Sequence, residues 1–187
     1  MEKVGYPIDK NEWHPSLIPG PVVLISTYNA EKVPNIAPKS WVQMVSFEPP
    51  MLMFSGSKGN TTENNILLTG CFGVNIVHSS LASRVFGCLQ WFGQERIEKT
   101  GVTLFKASKI NAPLVADCRA HLECRLDKTV EMGSGFVVFG RIETASIWER
   151  ILQVKREDRY ALLDQIVFLE DNLYARIDRV ATADREE

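Results

Sequence analysis

The chain has 187 residues, 45% apolar and 24% charged, with a net charge of −2. That is enough to bury a full core without disulfide staples, and its mixed charge offers no basic footprint for nucleic acid. No apolar run approaches a membrane span, the start has no signal core, and the four cysteines form no Cys-x-x-Cys pair, so a reduced, cytoplasmic setting is expected.

Residues 1–20 read as an irregular lead-in with Pro7, Pro15 and Pro19, closing on a Pro-Gly-Pro corner at 19–21. Residues 21–28 predict a strand, 29–32 a turn, 33–38 an extended segment and 41–47 an alternating strand. Glu48-Pro-Pro50 turns the chain into the apolar run 51–54, and residues 60–70 predict a short helix ending at Gly70. A strand follows at 71–77 and a short helix at 81–88, whereas 89–112 is polar, punctuated by glycine and without a clear period. Strands at 120–128 and 136–148 flank a turn at 133–135. Residues 158–165 read as helix, 166–169 and 173–177 as a strand pair, and 180–187 as a charged tail that frays. Many strands with short turns and brief helices predict one domain, mainly β, built as an antiparallel barrel or sandwich. A Rossmann sheet is disfavoured, because no Gly-x-Gly-x-x-Gly follows a strand.

The segment richest in chemistry is residues 55–66, Ser-Gly-Ser-Lys-Gly-Asn-Thr-Thr-Glu-Asn-Asn-Ile. Its glycines let the backbone come close to a ligand, Ser55, Ser57, Thr61 and Thr62 offer hydroxyls, and Lys58 offers charge. The helix start adds unpaired N–H groups and a positive dipole end, which together suit a phosphate. The plainer reading is a capped helix, with Asn60 as N-cap and Glu63 as its reciprocal partner. Glu63 opposes an anion and Lys58 favours one, so both readings stay open on these residues alone.

Cys118, His121 and Cys124 have a spacing loosely like a metal motif. On an alternating strand, His121 faces away from the two cysteines, so the three do not converge and no metal site is expected. His78 closes a strand and reads as a surface residue; a shared solvated face is open to Glu123 and Arg125 and is the preferred reading for Arg125. His14, beside Trp13, either folds over a ligand or covers one end of the barrel. No spacing suggests a Ser/His/Asp or Cys/His arrangement, so no catalytic side chain is expected.

The sequence resembles the flavin reductase-like family, whose fold is the FMN-binding split β-barrel, an antiparallel Greek-key sheet with a few short helices. The resemblance rests on residues 21–27, Asn35-Ile-Ala-Pro-Lys-Ser40, Glu48-Pro-Pro50, Lys58 with Thr61, Asn65-Ile66, Phe72 to Asn75, and Gly140. It implies a homodimer with FMN (FAD is the alternative) in a groove near the subunit interface. Asn35, Ala37, Pro38, Lys39, Ser40 and Trp41 would run along the isoalloxazine ring. Ser55, Gly56, Ser57, Lys58, Thr61 and Thr62 would hold ribityl and phosphate, and Asn75 would also face the cofactor. Each has a plainer role beside this one: Trp41 as a packing aromatic, Lys39 as a solvated charge, Asn75 bonded to backbone, Asn35 as a turn residue after Pro34.

The resemblance further implies NADH or NADPH as electron donor and a monooxygenase as partner. The turn Met132-Gly-Ser-Gly-Phe136 departs from many such reductases, which carry a histidine there. This keeps a second expectation open, a flavin carrier or sensor that does not turn over the dinucleotide.

Overall fold

The computed structural model describes residues 1, 3–6, 8, 17–87, 89–177 and 179–183. Trp13, His14, Cys88 and the last part of the charged tail lie outside them. The chain enters through Gly20–Pro21 (β1) and continues into Val23–Tyr28 (β2), Pro34–Lys39 (β3), Val42–Phe47 (β4) and Pro50–Ser57 (β5). Helix α1 spans Thr61–Thr69, stopped by Gly70, whose φ of 69° suits glycine and whose N–H bonds the Ile66 carbonyl. Then come Cys71–Ile76 (β6), Ala82–Gly87 (α2), Gly93–Thr100 (α3), Leu104–Lys106 (β7) and Pro113–Val115 (β8). A long hairpin, Ala120–Met132 (β9) and Gly135–Ile147 (β10), leads to Glu149–Leu152 (α4) and Arg159–Leu163 (α5). Ile166–Glu170 (β11) and Leu173–Arg176 (β12) close the described chain.

Seven strands form one antiparallel sheet in the order β3-β2-β6-β9-β10-β5-β4, and β1-β11-β12 form a smaller one. The mainly β, antiparallel expectation therefore holds. β3 and β4 are consecutive in sequence yet stand at opposite ends of the large sheet. The short link between them, running past Ser40, thus spans the split where the curled sheet fails to close.

The interior strand β2 is buried on both faces, because its two sides belong to different cores. Val23 and Ile25 pack with Leu52, Phe54, Ile66 and Phe72 inside the curl, while Leu24 packs outward with Leu81, Val85 and Ile166. The long hairpin bends through register shifts near Gly140, where a Cβ would collide with the buried ring of Phe72. The pattern-free stretch 89–112 holds α3 and β7, and β8 follows it. β7 and β8 escaped the sequence because three-residue strands carry too few residues to show a period. α3 escaped it because Phe92 at its N-cap gives no start signal.

Two expectations about polar residues are corrected. His78 is 7% exposed, its Nε2 bonded to the Asp117 carbonyl. Glu123 is also buried, accepting bonds from the Ser108 N–H and hydroxyl and from the Lys109 N–H. It thus ties down the loop after β7, whereas Arg125 is exposed as read. His121 bonds the Val115 carbonyl and the Ser146 hydroxyl. Among the described residues no helix is long and apolar enough to cross a membrane.

Burial, opposed by backbone hydrogen bonds, holds both His78 and His121 below the ordinary histidine value of 6.5. The unfolded chain then binds more protons as pH falls through 6.5 towards the folded values, so stability is present above 6.5 and declines below it. Urea midpoints are expected to fall between about pH 7.5 and about pH 5.5, and a His78→Gln/His121→Gln variant to flatten that slope. An equal slope in both proteins would contradict the assignment.

Candidate functional site

α1 starts behind Asn60, whose backbone is extended and whose side chain makes no capping bond. The reciprocal cap read from Asn60 and Glu63 is therefore absent. Glu63 turns instead to Lys39, with Nζ 2.5 Å from its Oε1. A part-buried ammonium is a stronger partner for a carboxylate than a backbone amide, which is why the cap loses. The first-turn N–H groups of α1 are left without a side-chain cap, and Gly59, Asn60, Thr61 and Thr62 line a cavity of about 360 Å³.

Asn35, Ala37, Pro38 and Lys39 of β3 form the facing wall, with Phe92 and Arg96 beyond. Asn35 Nδ2 donates to Thr62 Oγ1 at 3.0 Å, and Asn65 Nδ2 donates to Thr27 Oγ1 at 3.0 Å. These buried bonds seat the helix start against β2 and β3 and orient the Thr62 hydroxyl as an acceptor from Asn35, with its own O–H still able to donate. Arg96 is 7% exposed, and its Nη1 donates to the Ile36 carbonyl at 3.0 Å. β3 is an edge strand, so this carbonyl lacks a neighbouring strand on one side. Sequence reasoning missed Arg96, which reaches the site from 60 residues away, out of the pattern-free stretch.

The ribbon from Asn35 to Trp41 borders two further cavities. Pro38, Lys39 and Ser40 line one of about 200 Å³, shared with Val85, Phe86 and Phe168. Ser40 and Trp41 line another of about 540 Å³, with Ile18, Pro19, Met53, Ser55 and Val137. The first cavity is polar and carries a guanidinium, and the last is walled mainly by apolar side chains. Pro38 sits in the edge strand, where its missing N–H costs no ladder bond. Trp41 is 55% exposed and belongs to neither core.

The remaining predicted residues are dispersed. Gly56 lies under the Lys39–Glu63 pair, where a Cβ would collide with Glu63 Oε1. Ser57 is exposed at the end of β5, opposite Gly135. Lys58 points outward to Glu131, with Nζ 2.9 Å from Oε2 and both side chains largely exposed. Asn75 is fully buried, donating to the Leu24 carbonyl and the Ser26 hydroxyl and accepting from the Val115 N–H at 2.7 Å. Its amide joins β2, β6 and β8, and it lines none of the three cavities.

A curled antiparallel sheet whose edge strand and helix start enclose a groove along the split is the architecture of a split β-barrel. Residues 16–160 match the flavin reductase like domain, and the chain belongs to that family. It is 32% identical over 143 residues to an uncharacterized protein of Aquifex aeolicus, covering 73% of each chain. It is 25% identical over 125 residues to the flavin-dependent monooxygenase reductase subunit HsaB of Mycobacterium tuberculosis, covering 67% of this chain and 64% of that protein. In fold it is similar to nitrilotriacetate monooxygenase component B of Bacillus cereus, with a TM-score of 0.83 at 22% identity, covering 97% of this chain and 100% of the other.

Proposed function

We propose that the chain binds FMN in this groove and acts as an NAD(P)H-dependent flavin oxidoreductase, a cytoplasmic homodimer that delivers electrons to a monooxygenase. The observation that carries this reading is the Asn35–Trp41 ribbon, which borders a polar cavity at a helix start and an apolar cavity at its other end. FMN has the same polarity, with an anionic phosphate at one end and a flat, largely apolar ring at the other. Likeness to a monooxygenase reductase subunit supports the partner. Exposed Met44, Val45 and Phe47 along the edge strand β4, with Trp41 just before it, support burial of that edge in a dimer.

A flavin held here would supply the redox chemistry, with a nicotinamide as the source of reducing equivalents and a further acceptor as their destination. The residues of the chain would bind and orient. Thr61, Thr62, the first-turn N–H groups of α1 and Arg96 would hold the phosphate. The ribbon's backbone groups would meet the pyrimidine edge of the ring, and Ser40 would add a hydroxyl. Lys39 reaches towards the helix start, so its charge belongs to the phosphate end of this arrangement. No side chain is required as nucleophile or acid.

Purified protein titrated with FMN is expected to quench the flavin's fluorescence, and anaerobic NADH or NADPH is expected to bleach the bound flavin. Absence of any flavin binding would overturn the reading. The β9–β10 turn without an imidazole favours the second reading, a carrier or sensor. In that case the flavin binds and stays oxidised with both nucleotides.

A further inference from the structure

Glu63 is the sole acidic residue among the described residues lining the 360 Å³ cavity. It is 1% exposed; Oε1 holds Lys39 Nζ, while the buried Oε2 has no hydrogen-bond partner among the described residues. The room for it comes from Gly56, where any side chain would displace the carboxylate. Three elements, β3, β5 and α1, thus converge to keep a negative charge in the wall of a cavity otherwise suited to an anion. Stability is a weak reason for such a pair, since buried ion pairs are often matched or bettered by apolar residues of similar volume.

We infer that Glu63 sets the charge selectivity of this cavity, cancelling Lys39 and holding the affinity for FMN close to that for unphosphorylated riboflavin. The inference rests on the flavin reading above and names a specificity-determining residue within it. With Lys39 neutralised, Arg96 supplies the remaining cationic charge among the lining residues, and the unpartnered oxygen repels phosphate. Binding is then driven by the ring lying along residues 35–41, and a nucleotide held this way exchanges readily.

The test is fluorescence titration of the full chain with FMN and with riboflavin, in the wild type, Glu63→Gln and Lys39→Met/Glu63→Gln. Wild type is expected to prefer FMN by less than about tenfold, and Glu63→Gln to raise that preference at least about tenfold with riboflavin affinity unchanged. The double variant, lacking both charges, is expected to bring the ratio back down. An unchanged or lower ratio in Glu63→Gln overturns the inference, as does a ratio that stays raised in the double variant. Should the variants fail to fold, the wild-type ratio decides alone, and a preference above about tenfold overturns it. A wild type that binds neither flavin removes the flavin reading and this inference with it, which separates the two failures.

Discussion

Replacing Gly20 with alanine is expected to damage both the fold and the groove. A Cβ at this position would collide with the Ser40 carbonyl oxygen, a backbone atom with no rotamer through which to escape. Gly20 is also paired with Phe168 of β11, so the strand is held from the other side. The link between β3 and β4 must therefore move, and with it Ser40, which lines two of the three cavities. Overpacking against such an atom is expected to cost about 3 kcal/mol of stability and, through the displaced ribbon, at least about tenfold in FMN affinity. Thermal melts and flavin titrations check both. Gly87→Ala is the control, because a Cβ there meets nothing within 4 Å and alanine suits a helix. Equal behaviour of the two variants would show that β1 does not press on the ribbon.

Arg96→Ala is expected to have the largest effect on the choice between FMN and riboflavin. It removes a guanidinium from the cavity wall and strips the Ile36 carbonyl of its donor. Loss of a charge-assisted bond to phosphate predicts FMN affinity lower by about tenfold, which removes its preference over riboflavin, with riboflavin much less affected. The unpaired carbonyl on the edge strand predicts a stability loss of about 1–3 kcal/mol. Arg96→Lys separates the two roles. It keeps the charge but cannot span the Ile36 and Leu89 carbonyls as a planar fork does, so affinity is expected to recover more than stability. Equal loss of FMN and riboflavin binding in Arg96→Ala would place Arg96 outside the phosphate site.

Much of the sheet was legible because the signals were local. The apolar runs at 21–28 and 71–77, the Pro-Pro turn at 49–50 and the glycine at 70 each act within a few residues. The helix start at Thr61 could be read for the same reason, whereas the role of residues 35–41 rests on the family resemblance; the structure brings Asn35, Ala37, Pro38 and Lys39 to one cavity with that helix start. What sequence could not show was the direction of single side chains. Glu63 sits three residues after Asn60, as a cap partner should, yet a lysine on another strand captures it. Lys58 stands among the residues expected at the phosphate, yet the turn at its position carries it out to Glu131. Asn75 takes its plainer role, bonded to backbone groups. Its partners on β2 and β8 are 51 and 40 residues away, beyond any local pattern. Arg96 had no signal at all, since a lone arginine in an irregular stretch looks like any solvated charge.

The position of β2 ties the two halves of the molecule into one cooperative unit. Its odd and even side chains belong to separate apolar layers, one within the curl and one beneath the outer helices. Neither layer can melt without exposing the same six-residue strand. Heat or denaturant would therefore meet a single barrier here, and backbone amides along Val23–Tyr28 would be among the last to trade their protons for deuterium.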